Sequence, residues 1–204
     1  MIKNVIFDIG NVLVGFTVHD LSRILGSSEE GERLRTVFFS KPWRDCDRGI
    51  ITIDEQIERT CALSPDDAEV INYVIRNRTK MFRPLEKSRE VVKDLKKAGF
   101  GVYYLSDTSF DAFDGVKKIL DYFDLFNGGA ISCAEKCAKS DPDLKFFNIL
   151  FERYKLDPKE CVFVDDSEAN ILAAKKTGLN VVHLTDPELI REELKKFDEL
   201  KDVL

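Results

Sequence analysis

The 204-residue chain has no apolar run approaching the roughly 20 residues that cross a bilayer. It also lacks a signal-peptide pattern, because Asp8 interrupts the only apolar stretch near the N-terminus. Histidine is confined to His19 and His183, and cysteine to Cys46, Cys61, Cys133, Cys137 and Cys161. An odd, scattered cysteine set excludes a disulfide framework and suits a reducing, cytoplasmic setting. Cys133 and Cys137 are four apart, yet with so few histidines to complete a soft-metal site, zinc is not expected. Positive charge is short as well: 31 Lys and Arg against 37 Asp and Glu leave a net charge of −6. That balance argues against a nucleic-acid surface and against an anionic membrane. An anionic ligand would therefore have to be held by local cations or a metal.

What is present describes a globular chain, 44% hydrophobic and 33% charged, long enough for one core plus a small insert. Five short apolar segments recur, at Asn4 to Ile9, Gly101 to Ser106, Gly129 to Cys133, Cys161 to Val164 and Asn180 to Leu184. Apolar without strict alternation, they read as parallel strands covered on both faces. Helical patterns separate the last four. Pro84 to Ala98 carries Val91, Val92 and Leu95 on one face and stops at Gly99. Phe110 to Tyr122 carries Phe113, Val116 and Leu120 at helical spacing. Asp141-Pro142 reads as a cap plus first-turn proline ahead of Phe146, Phe147, Ile149 and Leu150. Ser167 reads as the cap of a helix ending before Gly178, and Asp186-Pro187 as the start of the last one. This alternation predicts a three-layer, doubly wound parallel α/β sheet with right-handed crossovers.

The gap after the first strand breaks the rhythm. It shows no convincing strand and four amphipathic helical stretches, marked by Leu21-Ile24-Leu25, Leu34-Val37-Phe38, Ile53-Ile57-Cys61 and Ala68-Ile71-Val74-Ile75, the last opened by Ser64-Pro65. So long an insertion is not a simple crossover. The reading is a core of residues 1–15 and 83–204 and a helical cap of residues 16–82 over the carboxyl ends of the strands.

With the strands placed, polar groups fall at their ends. Asp8 follows the first strand, where an unpaired carboxylate would be costly, and Gly10-Asn11 lets the chain turn away. Ser106-Asp107-Thr108 follows the second, Lys139 lies in the loop after the third, and Asp165-Asp166 follows the fourth. Each has a plain alternative on its own: Ser106 as a strand end, Lys139 as a solvated lysine, Asp165-Asp166 as a helix cap. Together they mark one site, because ligands of such sheets bind past the carboxyl ends of the strands. Two adjacent carboxylates near a third repel unless a divalent cation sits among them, and all-oxygen ligation selects a hard ion such as Mg²⁺.

Asp8-Ile9-Gly10-Asn11-Val12-Leu13, Leu105-Ser106-Asp107, Lys139 and Val164-Asp165-Asp166-Ser167 resemble, in order and spacing, the four motifs of the haloacid dehalogenase-like hydrolases. The insertion is similar to the helical cap some of them carry after the first motif. Within it, Trp43-Arg44-Asp45 and Asp47-Arg48-Gly49-Ile50 resemble a branch that includes bacterial α-D-glucose-1-phosphate phosphatase. The resemblance implies a phosphatase of a small phosphorylated metabolite such as a sugar phosphate. In it Asp8 is the nucleophile that forms an aspartyl-phosphate, and Lys139 is a point charge on nucleophile and phosphate. Mg²⁺ is held by Asp8, Asp165, Asp166 and the carbonyl of Gly10; Ser106 and the N–H of Asp107 hold a phosphate oxygen. Trp43, Arg44 and Arg48 are candidates for the substrate wall, with Trp43 as plain cap core the alternative. A metal-free 2-haloacid dehalogenase fits poorly with Asp165-Asp166, and a catalytically weak binding or regulatory protein is the class-different alternative.

Two departures stand out. Most phosphatases of the family place an acid/base aspartate two residues after the nucleophile; here that residue is Gly10, and His19 and Asp45 are proton-donor candidates by type alone. Ser140 stands where proline usually follows the lysine, which is expected to loosen that loop and leaves Lys136 and Lys145 as rivals to Lys139.

Overall fold

Val5, Ile6 and Phe7 are all fully buried, and they divide between two cores, Val5 and Phe7 on one face and Ile6 on the other. Alternate residues of one strand reach opposite faces, so a continuous apolar run needs cover on both sides. The computed structural model supplies it; it describes residues 1–16 and 18–204, with the side chains of 18, 19 and 23 left aside. β1 (Asn4–Phe7) leads through β2 (Val14–Gly15) into a helical insertion made of α1 (Val18–Leu25), α2 (Ser28–Phe38), α3 (Lys41–Asp47), α4 (Ile53–Cys61) and α5 (Ala68–Arg76). The chain returns through β3 (Arg83–Pro84), α6 (Glu86–Lys97), β4 (Gly101–Ser106), α7 (Phe110–Ile119) and β5 (Gly128–Ile131). It then runs through α8 (Ser132–Glu135), α9 (Lys145–Tyr154), β6 (Cys161–Asp165), α10 (Glu168–Lys176), β7 (Asn180–His183), α11 (Ile190–Leu194) and α12 (Asp198–Lys201).

The main sheet has the order β5-β4-β1-β6-β7 with every pairing parallel. The winding moves outward from β1 to β4 and β5, then returns to the other side for β6 and β7, so the reversal lies at β1. One core packs Val91, Val92 and Leu95 of α6, Phe113 and Val116 of α7, Ile190 and Leu194 of α11 and Leu200 of α12 on the sheet. The other packs Phe146, Phe147 and Leu150 of α9 and Ile171 and Ala174 of α10 on the opposite face. This is the three-layer α/β arrangement expected from the strand–helix alternation.

The insertion has its own apolar cluster: Leu21, Leu34, Phe38, Trp43, Ile71, Val74, Ile75 and Met81. It leaves and re-enters through a two-residue antiparallel ribbon, Val14 opposite Pro84 and Gly15 opposite Arg83, which was not legible in the sequence. Arg78 ties it to the rest of the molecule. Only 1% exposed, its guanidinium forks onto Asp111 at 2.5 and 2.7 Å, bonds Gln56 Oε1 at 3.2 Å and lies 5.2 Å over the Trp43 ring.

Three local expectations need correction. The strand read over Gly129 to Cys133 ends at Ile131, because its partner β4 stops at Ser106, directly opposite, and Ser132 begins a helical turn instead. The helix read from Asp141-Pro142 begins only at Lys145, after Leu144 in the left-handed region. Asp141 does not cap it because its carboxylate is taken by the Ala138 N–H at 2.8 Å and by Arg48 at 2.6 Å. Ser64 and Ser167 precede their helices without a side-chain cap; the Ser64 hydroxyl donates to Asp67, and the Ser167 N–H donates to Asp165.

Gly49 marks the seam between the insertion and the sheet. Its φ is +65°, and a Cβ there would lie 2.3 Å from the Cys133 carbonyl oxygen. Gly49→Ala adds a left-handed non-glycine residue and an overpacked contact, so it is expected to lower stability by about 2 to 4 kcal/mol, read as a fall in the urea midpoint.

Candidate active site

Each of the groups in question sits where a strand runs out. Asp8 is the residue after β1; its N–H still bonds the Val164 carbonyl at 2.9 Å, which sets it beside the end of β6. The chain then folds back at once. The N–H groups of Leu13 and Val14 both reach the Ile9 carbonyl at 2.9 Å, and Asn11 adopts φ +53°, a conformation asparagine tolerates. The first strand therefore closes two residues earlier than the apolar run implied. Asn11 also fixes the site: its Oδ1 accepts the Phe16 N–H at 3.0 Å and its Nδ2 donates to Asp166 Oδ2 at 2.9 Å.

Lys139 closes the cluster. Its ammonium is 1% exposed, 2.8 Å from Asp8 Oδ2 and 2.6 Å from Asp165 Oδ2. Lys136 and Lys145, its rivals on sequence, are both exposed. Ser140 does not loosen the loop, because the Lys139 N–H donates to the Asp107 carboxylate at 3.2 Å and the Asp141 N–H to the Ala138 carbonyl at 3.1 Å. Asp165 is saturated with donors: Lys139 on one oxygen, the Ser167 N–H at 2.8 Å on the other, and Asn170 Nδ2 at 3.1 and 3.2 Å from the two. Asn170 carried no signal beyond its place three residues after Ser167.

Carboxylate oxygens of Asp8, Asp165 and Asp166 all lie within 4.8 Å of one another. The electrostatics follow from that crowding. Asp8 is pushed up to about 7, chiefly by burial, with Asp165 and Asp166 adding and Lys139 opposing. Burial raises Asp107 and Asp166 too, against Lys139 in the first case and the Asn11 hydrogen bond in the second. Burial alone would depress Lys139, but Asp165, Asp8 and Asp107 outweigh it and keep the ammonium charged. An all-oxygen set with one ammonium among four carboxylates fits a hard divalent cation.

A cavity opens beside the cluster. Gly10, Ser106, Asp107 and Thr108 line one side; Phe16, Trp43, Phe82 and Val116 make most of an apolar wall, and Asp47 interrupts that wall. Ser106 is buried at the very end of β4, as its place in the sequence implied. Trp43 stacks on Phe16 at 5.8 Å within the insertion's core and also lines the cavity. Arg48 does not line the cavity, because its guanidinium is spent on Asp141. Arg44 points to the Phe39 carbonyl, and Asp45 is paired with Lys41 at 2.5 Å, away from the cavity lining. The His19 side chain lies outside the described residues. Gly10 lacks a side chain without steric need, since a Cβ there would meet nothing within 4 Å.

Residues 2–178 match the family model of the haloacid dehalogenase-like hydrolases. The chain belongs to this family. It is 28% identical over 195 residues to the sesquiterpene phosphatase astK of Aspergillus oryzae, covering 96% of each chain. Its fold is similar to that of a haloacid dehalogenase-family enzyme of Bacteroides thetaiotaomicron crystallised with magnesium and inorganic phosphate, at a TM-score of 0.65 and 23% identity over 89% of this chain and 93% of that one. It is also similar to the L-2-haloacid dehalogenase of Xanthobacter autotrophicus with chloropropionic acid covalently bound, at a TM-score of 0.68 and 20% identity over 94% and 82% of the two chains. No helix among the described residues is long and apolar enough to cross a membrane.

Removing the one ammonium from this hydrolase's cluster leaves buried carboxylates unpaired. Lys139→Met is therefore expected to cost about 3 kcal/mol of unfolding free energy, with part regained on adding Mg²⁺, whereas a solvated loop lysine would cost under about 0.5 kcal/mol.

Proposed function

We propose that the chain is a Mg²⁺-dependent phosphatase of a small phosphorylated metabolite, working through an aspartyl-phosphate on Asp8. The observation that carries this reading is the convergence of Asp8, Lys139, Asp165 and Asp166 at the carboxyl end of the central strands. Lys139 holds the Asp8 carboxylate at 2.8 Å, the next two residues, Ile9 and Gly10, line the cavity, and attack of that carboxylate on phosphorus gives the acyl phosphate that water then hydrolyses. Ser106 and the N–H of Asp107 hold a phosphate oxygen, and Lys139 adds a fixed positive charge, since phosphoryl transfer asks mainly for positioning and neutralisation. Asp8, Asp166, Asp165 and the Gly10 carbonyl are the groups that would hold Mg²⁺, which supplies charge neutralisation between nucleophile and phosphate. Asn11 and Asn170 orient two of those carboxylates.

The wall speaks to the alcohol half of the ester. Phe16, Trp43 and Phe82 make the apolar part of the lining, and Arg48, paired with Asp141, is not part of it. An apolar alcohol suits this lining better than a sugar, and a sesquiterpene phosphatase stands among the relatives. A panel of phosphate monoesters assayed by phosphate release checks both statements. Turnover is expected to vanish with EDTA and to fall at least about 10⁴-fold in Asp8→Asn. Aliphatic and prenyl esters are expected to exceed glucose 1-phosphate in kcat/KM by about tenfold or more. No release from any ester would instead favour a binding protein that has kept the fold.

A further inference from the structure

We propose that Asp47, carried by the helical insertion, is the general acid and base of this site in place of the side chain that Gly10 lacks. The inference rests on the phosphatase reading and extends it to a residue on α3. Gly10 and Asp47 line the same cavity, together with Ser106 and Asp107. A Cβ at Gly10 would meet nothing within 4 Å, so contact with neighbouring atoms is not what bars a side chain there. Asp47 is the carboxylate that the insertion presents to that cavity.

Its position is fixed by contacts from the sheet side of the seam. The Ser132 hydroxyl at the start of α8 donates to the Asp47 carbonyl. Two residues on, Gly49 presses its backbone against the Cys133 carbonyl, and Arg48 between them is tied to Asp141. The segment Asp47-Arg48-Gly49 is thus a clamp with one chemically uncommitted side chain, and that side chain is the acid.

The surroundings keep the proton on. Burial pushes the Asp47 carboxyl up to about 8; Arg78 opposes this, Asp107 and Asp111 add to it, and the Ser109 N–H opposes it. Arg78 does not cancel the effect because its fork is engaged by Asp111. The remaining titratable neighbours, Cys46 and Cys133, are thiols that burial holds neutral. A carboxylic acid of this kind is protonated near neutral pH and matched to proton transfer there.

The step balances. As Asp8 forms its bond to phosphorus, the ester P–O bond breaks, and the Asp47 proton passes to the departing alkoxide oxygen to give the free alcohol. Water then attacks the phosphorus of the aspartyl-phosphate and gives its proton to the Asp47 carboxylate. Phosphate leaves, and Asp8 and the Asp47 acid are restored.

Leaving-group dependence tests this on the full-length protein with Mg²⁺. Hexyl phosphate needs a proton on its leaving alkoxide; p-nitrophenyl phosphate releases a stable phenolate. Asp47→Asn is expected to lower kcat/KM for the hexyl ester by about 10² to 10³-fold and for the p-nitrophenyl ester by less than about 5-fold. In the wild type, kcat/KM for the hexyl ester falls as pH rises through about 8, where Asp47 loses its proton, and the variant loses that limb. The ratio between the two esters is internal to each preparation, so partly unfolded variant cancels out of it. Equal losses on both esters, or none on either, would overturn the assignment while leaving the phosphatase reading intact. A wild-type protein that releases phosphate from neither ester overturns that reading and the assignment with it.

Discussion

The structure depends on keeping acidic groups together where water is scarce. Asp8, Asp107, Asp165 and Asp166 gather at the ends of β1, β4 and β6, and Lys139 is the one ammonium set among them. An isolated buried carboxylate is too costly to persist, and a buried ion pair is tolerated only when its remaining lone pairs are satisfied. That condition explains the details around Asp165, which takes donors from Lys139, Ser167 and Asn170, and around Asp166, which takes Asn11. One lysine still does not balance four carboxylates. Burial raises Asp8, the neighbouring Asp165 and Asp166 add to that, and a cluster of oxygens on this scale fits a hard divalent cation.

This constraint also explains the architecture around the site. Because β1 is central and covered on both faces, its end can hold a carboxylate in one place only if the turn beyond it is rigid. Asn11 supplies that rigidity by taking a left-handed backbone, capping Phe16 and steering Asp166 at once. Ser106 opposite Ile131 ends the β4–β5 ladder on the same side, which frees residues 132–139 to fold back and deliver Lys139.

The strands, the layers and the motif positions at the ends of the first, second and fourth strands were legible because they follow from local periodicity: each apolar run declares a strand and each strand end declares a place for chemistry. What was not legible depends on competition between distant groups. Asp141-Pro142 has the form of a helix start, yet Arg48, 93 residues away in sequence, and the Ala138 N–H claim the carboxylate first. The choice of Lys139 over Lys136 and Lys145 turns on which way a loop folds, which no spacing encodes. Asn170 looks like any polar helix residue until Asp165 is placed beside it. Asp45 and Asp47 are both acidic residues of one short helix, but Lys41 one turn before takes Asp45, and the cavity takes Asp47.

The division of labour between sheet and insertion has a chemical consequence. A proton donor built two residues after the nucleophile is present whether or not the helices are seated, so water can use an open site. On the proposed assignment, a donor on α3 is in place only while the Ser132 hydroxyl and the Gly49 contact hold that helix against the sheet. The same seating brings Trp43 to the cavity beside Phe16 and Phe82. Acid and apolar wall then come from one element, and on that assignment a glycine two residues after Asp8 is compatible with proton transfer to the leaving group because the missing carboxylate sits on α3.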